Sequence, residues 1–238
     1  MKNLYASAVG KNGKERLIKV IERFGTENFD YLIFVFDDTQ FSESIFHQCK
    51  FIYEKGEFGY FWKKYLTPER VAPYQYIFPW MDDLDILNLN IERFMQIMVR
   101  NKLELAQPAL SHDSFIFHEV TRKSLKYKIG RFTHFTEIMA QVFCVKKWIR
   151  FWEILEFNPL NPKSWGYDLV TRKACEIKRM AVIDCEEIRH CNSLINSLSQ
   201  EKRELLCVNG TKDMRAIMQK HKVKWNVCMP QIFYFPLR

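Results

Sequence analysis

Tyr76-Ile77-Phe78-Pro79-Trp80-Met81-Asp82-Asp83-Leu84-Asp85-Ile86 is an apolar run that ends in three carboxylates within four positions. The pattern predicts a strand that carries acids to its C-terminal end and leaves them on a loop. In an open α/β sheet, ligands sit in the crevice beyond the carboxyl ends of the strands. Three acids crowded there repel one another unless a cation neutralises them. Asp83-Leu84-Asp85 and the adjacent pair Asp82-Asp83 supply hard oxygen ligands of the kind that suit Mg²⁺ or Mn²⁺ together with substrate phosphates. The expectation is a metal bridge to a phosphorylated substrate. The plain alternative is a polar turn in which an Asp caps the next helix.

The flanking sequence supplies the rest of a sheet. Leu4 to Val9 reads as a strand closed by Gly10, and Gly13 to Phe24 as a helix with apolar residues at helical spacing. Tyr31 to Phe36 is a continuous apolar strand of the kind buried on both faces of a parallel sheet, and it too ends in acids, Asp37-Asp38. Phe51 to Tyr53 is a short third strand. Phe58 to Tyr65 is an aromatic and basic helix whose Lys63 and Lys64 either reach a phosphate or form a solvated face. Downstream come a helix over Ile91 to Asn101, a strand from Leu103 into a turn at Pro108, and a short strand over Phe115 to Glu119. Glu137 stands among apolar neighbours, and Glu is almost never buried without a partner or a task. A helix from Lys146 to Phe157 meets the breaker Asn158-Pro159-Leu160-Asn161-Pro162, and another helix runs from Leu169 to Ile177. Met180 to Asp184 is a further strand, with Glu186 to His190 following. Beyond Ser193 the chain turns polar, with one helix, a turn at Asn209-Gly210, a second short helix and an aromatic tail. Alternating strands and helices predict a mainly parallel sheet.

The chain has 238 residues, enough for one large α/β domain with an appendage. Lys+Arg 36 against Asp+Glu 28 leaves +8, which favours anionic partners. No Lys/Arg block resembles a nucleic-acid arm, and contact with a membrane face is left open. Seven cysteines without a Cys-x-x-Cys pair argue for reduced thiols in the cytoplasm rather than a disulfide framework or a structural zinc site. The first ten residues are too short and polar for a signal peptide, and no apolar run approaches the ~20 residues that span a bilayer.

Phe61-Trp62-Lys63-Lys64-Tyr65-Leu66-Thr67-Pro68-Glu69, Tyr76-Ile77-Phe78 leading to Asp83, and Leu105-Ala106-Gln107-Pro108-Ala109-Leu110 occur in that order. Glu137-Ile138-Met139-Ala140 with Val142-Phe143, Trp165-Gly166-Tyr167-Asp168, and Val182-Ile183-Asp184 through His190 follow. With these segments the chain resembles, from about residue 4 to 192, the plant proteins described as lysine-ketoglutarate reductase trans-splicing related, which have bacterial relatives and lie within the wider GT-A glycosyltransferase group. The resemblance implies a GT-A-like αβα sandwich over residues 1–192, with a mainly parallel central sheet. Residues 193–238 fall outside it and form a small helical extension packed on the domain. The family typically reads Asp-Glu-Asp where this chain has Met81-Asp82-Asp83.

The activity implied is transfer of a hexose, galactose or glucose in type, from a UDP-sugar donor to a glycan or lipid-linked saccharide, with inversion, in surface polysaccharide synthesis. No nucleic acid takes part. Mn²⁺ or Mg²⁺ would be held by Asp83 first, with Asp85 or Asp82 and the late His190. Val9, Gly10, Asp38 and Lys63 would face the donor nucleotide, and Gln107, Glu137, Trp165 and Gly166 the donor sugar or acceptor. Asp168 would be the base that deprotonates the acceptor hydroxyl, which requires hydrogen-bond reach of it. Without the resemblance, His190 reads as a half-buried structural histidine and Asp168 as an N-cap or first-turn acid. Rival readings are a basic nucleic-acid-binding protein, a metal-dependent phosphohydrolase and an inactive GT-A-like scaffold.

Overall fold

A computed structural model describes residues 1–115, 118–156, 164, 166–191 and 199–224. Nine strands form one mixed sheet: β1 (Asn3–Val9), β2 (Phe29–Val35), β3 (Cys49–Tyr53), β4 (Tyr76–Pro79), β5 (Leu84–Asn88), β6 (Leu105–Leu110), β7 (Arg131–Phe132), β8 (Val142–Cys144) and β9 (Met180–His190). Their order is β3-β2-β1-β4-β8-β6-β9-β5, and β7 lies beside β5 along the far edge of β9. The run from β3 to β4 is parallel, as the unbroken apolar strands predict, and β6 and β9 share its direction. β5, β7 and β8 oppose it.

Helices cover both faces. α1 (Lys14–Phe24) and α4 (Ile91–Arg100) bury Leu17, Ile21, Phe24, Phe94 and Met98 against one side. α2 (Phe58–Tyr65), α3 (Pro68–Val71), α5 (Val145–Ile154) and α6 (Tyr167–Ala174) bury Phe61, Trp62, Val71, Trp148, Phe151 and Val170 against the other. A last helix, α7 (Gln200–Lys220), adds Met214, Ile217 and Met218 to this second core. The result is the αβα sandwich with a helical C-terminal region that the sequence predicts. Among the described residues no helix is long and apolar enough to cross a membrane.

Several local expectations change. The acids after β4 do not open a helix: Asp82 and Asp83 make a turn into β5, so Asp85 is a strand residue paired with Arg189 of β9. The following helix is capped by Asn90, whose side chain accepts from the Arg93 N–H at 2.9 Å. Pro108 is not a turn but lies inside β6, where the pairing with β9 shifts register, so its missing N–H falls at an irregularity. Of the strand predicted over Phe115 to Glu119, Glu119–Thr121 is a 3₁₀ turn and residues 116–117 lie outside the description. Met180 to Asp184 and Glu186 to His190 are one strand. Asn209-Gly210 is no turn but the middle of α7, where strong helix formers outweigh the ~1 kcal/mol that a glycine costs. The breaker at 158–162 and the aromatic tail lie outside the described residues.

Candidate active site

The turn between β4 and β5 delivers Asp83 to the last residue of β9. His190 Nε2 lies 3.2 Å from Asp83 Oδ2, and both side chains are buried. The imidazole is held from its other side, with Nδ1 2.7 Å from the Phe115 carbonyl oxygen, and its backbone N–H donates to Ser114 Oγ at 3.1 Å. Burial alone would pull His190 below its ordinary pKa. The hydrogen bond and charge of Asp83, the Phe115 carbonyl and the charge of Glu137 outweigh it and hold the ring above that value. The backbone adds a second tie, because the Cys191 N–H donates to the Asp83 carbonyl at 2.9 Å. The other carboxylate oxygen, Asp83 Oδ1, is buried with no hydrogen-bond partner among the described residues.

Glu137 follows the 133–136 segment and is buried before the 3₁₀ turn Ile138–Ala140. Its carboxylate accepts from the Thr121 hydroxyl, and its N–H donates to Gln107 Oε1 at 2.6 Å. Gln107 is wholly buried on β6, with its amide N–H donating to the Pro108 carbonyl at 3.2 Å. The next N–H, that of Ile138, donates to Asp168. Asp168 is half-buried in the first turn of α6, behind Gly166, which caps that helix with φ +96. It is therefore a first-turn acid and not the N-cap. Burial pushes its carboxyl up to about 6, against hydrogen bonds from the Leu169, Ile138 and Gly166 backbone. Asp83, His190, Gln107, Glu137 and Asp168 thus come from five separate stretches of sequence: Asp83 is hydrogen-bonded to His190, Gln107 to the Glu137 N–H and Asp168 to the N–H that follows Glu137, while the charge of Glu137 acts on His190.

The remaining predicted residues lie elsewhere. Val9 is buried at the end of β1. The Gly10 N–H donates to Asp82 Oδ2 at 3.3 Å, and a Cβ on Gly10 would fall 2.6 Å from both Asp37 Oδ2 and the Phe36 ring, so any larger residue would push those side chains aside. Asp37 faces this turn: it accepts from the Lys11 and Thr39 N–H groups at 2.9 and 3.0 Å, and both Asp37 and Asp38 are exposed. Burial pushes the Asp37 carboxyl up, but these bonds outweigh it and hold it below the usual range. Lys63 donates to the Trp152 carbonyl at 2.8 Å and lies 4.0 Å from the Trp152 ring centre, which makes it a clamp between α2 and α5. Trp165 lies outside the described residues.

The acids do not converge on one point. Asp85 takes the Arg189 guanidinium at 3.1 Å, and Asp82 turns to Gly10. Among the described residues no group of three or more His, Cys, Asp or Glu side chains is placed to hold a metal ion. What fits a divalent cation is narrower: Asp83 with its unsatisfied buried oxygen, and His190, a two-ligand set that leaves the other positions to phosphate and water. Sequence reasoning missed Ser114, Phe115 and Thr121, which act through main-chain position or a hydroxyl. It also missed Asp37, which the acid pair after β2 offered as readily as Asp38.

The sequence over residues 1–134 matches the family described as "Protein of unknown function (DUF707)". No curated protein matches the chain. Among solved structures it is similar to S. aureus TarS 1-349, with a TM-score of 0.58 and 10% identity over 95% of this chain and 76% of that one. It is also similar to S. aureus TarS, with a TM-score of 0.54 and 9% identity over 95% of this chain and 46% of that one. The complex of TarS 1-349 with UDP-GlcNAc gives a TM-score of 0.52 at 8% identity, over 95% and 77%. At such identities the likeness is one of fold. The chain belongs to the DUF707 family.

Proposed function

We propose that this chain is a GT-A-type glycosyltransferase that takes a hexose from a UDP-sugar and passes it to a hydroxyl of a glycan or lipid-linked saccharide, with inversion, in the synthesis of a surface polysaccharide. The observation that carries the reading is the buried hydrogen bond between Asp83 and His190, with the charge of Glu137 acting on that histidine and Asp168 tied to the N–H next to Glu137. The fold likeness to TarS, which is seen in complex with UDP-GlcNAc, supports a nucleotide-sugar donor.

Breaking the bond between sugar and diphosphate leaves a doubly charged group that departs only when its charge is neutralised. Asp83 and His190 would hold Mn²⁺ or Mg²⁺, which supplies Lewis acidity toward the diphosphate when bound. His190 is oriented for this by the Phe115 carbonyl, the outer partner that fixes a ligating imidazole. Gln107 and Glu137, buried and joined by a hydrogen bond, would orient the sugar. Asp168, with its carboxyl held at about 6, suits a general base working near neutral pH: mostly ionised, yet with a real affinity for the proton it removes. Glu137 is the next candidate for that role.

Calorimetry of UDP with and without Mn²⁺ tests the donor half. Binding is expected to depend on Mn²⁺ and to fall at least tenfold in Asp83→Ala, with the fold intact. Unchanged affinity in that variant removes Asp83 from the site, and absence of UDP binding by the parent leaves an inactive scaffold. For the acceptor half, Asp168→Asn is expected to keep donor binding and lose roughly 10²-fold in transfer. Turnover within a few-fold of the parent transfers the role to Glu137 or excludes an inverting mechanism.

A further inference from the structure

Between Thr121, which donates to Glu137, and Arg131, which is buried against Asp184, runs the loop Arg122-Lys123-Ser124-Leu125-Lys126-Tyr127-Lys128-Ile129-Gly130. Its stem is pinned on both sides. The Ser124 N–H donates to Asp184 Oδ1 at 2.7 Å, the Lys123 N–H to the Leu110 carbonyl at 2.8 Å, and the Cys185 N–H to the Ile129 carbonyl at 3.0 Å. Arg131 also donates to the Val120 and Arg122 carbonyls, and its guanidinium stands 5.6 Å from the Tyr127 ring, which draws that ring inward. Two of the loop's charges are spent, Arg122 on Glu119 and Lys123 on Glu187, and Arg131 at its end pairs with Asp184.

What remains at the tip is Leu125, 88% exposed, and the exposed Lys126 and Lys128, which have no ion-pair partner among the described residues. A single exposed leucine is ordinary. This one stands beside two uncompensated cations on a fixed turn. The neighbouring 111–115 loop, tied to it by the Arg122 guanidinium on the His112 carbonyl, leaves Phe115 41% exposed beside His190. An aliphatic tip flanked by lysines is the composition of a contact that enters a headgroup layer, where lysines meet anionic lipid and the apolar side chain meets the acyl boundary. A soluble polyanion would be met by cations alone and gives no use for Leu125.

We propose that the Leu125-Lys126-Lys128 tip docks this protein on an anionic bilayer surface, with the Asp83–His190 cluster set beside the contact. The proposal does not rest on the glycosyltransferase reading, because docking is measured without donor or turnover.

The test is co-sedimentation of the full chain with vesicles of phosphatidylcholine, alone or mixed with phosphatidylglycerol, at low and high salt. The parent is expected to bind the mixed vesicles, to ignore the neutral ones and to be released by salt. Lys126→Glu/Lys128→Glu is expected to weaken binding by about 30-fold or more, and Leu125→Asn by roughly tenfold. Melting temperatures should stay those of the parent, since these side chains lie outside both cores. A Lys50→Glu/Lys55→Glu variant, equal in charge change but placed around β3, should retain most of the binding. Equal binding of parent and tip variants overturns the proposal, as does a parent that binds neither vesicle. Tip-dependent binding to a soluble polyanion such as heparin without vesicle binding overturns it in favour of a polyanionic partner.

Discussion

Asp168 carries its charge at a cost. In the unfolded chain its carboxyl titrates near 3.8, and in the folded protein burial raises it to about 6. The folded state therefore holds the proton more tightly, and stability falls as pH rises through that window, with nothing further lost above it. Two pH units correspond to roughly 3 kcal/mol, which partial solvent exposure reduces to about 1–2. Asp168→Asn is expected to flatten stability between pH 4 and 6 and to raise it by that amount at pH 8, read from urea unfolding at each pH. A variant that keeps the parent's slope would show that Asp168 does not titrate there. Arg131 and Asp184 form the opposite case, a fully buried ion pair in which burial still holds the Asp184 carboxyl above its ordinary value. Arg131→Met strands that acid and two carbonyls, so a loss of about 3–5 kcal/mol is expected, and a loss below 1 would show that water reaches the site. At this scale Asp83 and Glu137 stood out from their own surroundings, whereas His190 and Asp168 were singled out only by the family resemblance. The contact of Asp83 with His190 was not legible in the residues, since 107 positions separate the two.

The elements that were read correctly are those whose pattern fills a whole face, such as β1, β2, α1 and α4. Those misread were decided by distant partners. β5 looks like a loop because Asp83-Leu84-Asp85 is polar, yet it pairs with β9, where Arg189 across the ladder donates to one oxygen of Asp85. Asn209-Gly210 looks like a turn because its breakers are local, while α7 is held from outside over its C-terminal half. Lys173 donates to the Lys222 carbonyl at 2.5 Å, and Lys220 pairs with Glu156, whose backbone N–H meets the Tyr167 hydroxyl at 2.7 Å. The tightest of these contacts is at Gly166, where a Cβ would stand 2.8 Å from the Met214 Cα, on a backbone with positive φ. Gly166→Ala is expected to cost roughly 2–4 kcal/mol through strain and displacement of α7. Met214→Ala should not rescue it, because the obstructing atoms include the backbone Cα. Full rescue in thermal unfolding of the double variant would show that only the Met214 side chain is in the way.

Across the whole molecule, the alternation of strands and helices predicted the α/β core, and the cysteine spacing predicts free thiols. Cys49, Cys144, Cys175, Cys185 and Cys191 are unpaired, and Cys207 and Cys228 lie beyond what the structure describes at side-chain level. Titration of the denatured chain without reductant is therefore expected to find all seven thiols, and five or fewer would reveal a disulfide. The topology has a consequence for the order of synthesis. Among the described residues β5 and β7 pair only with β9, and β6 has β9 along one edge, so three strands wait for residues 180–190. A growing chain folds from its N-terminus as it leaves the ribosome. Until β9 emerges, Leu105, Ala109 and Leu110 border an open apolar edge, the kind that recruits other chains. His190 is the last residue of that strand, so the peptide that closes the sheet is also the one that brings Asp83 its partner, and a nascent chain stalled before it would need a chaperone rather than a substrate.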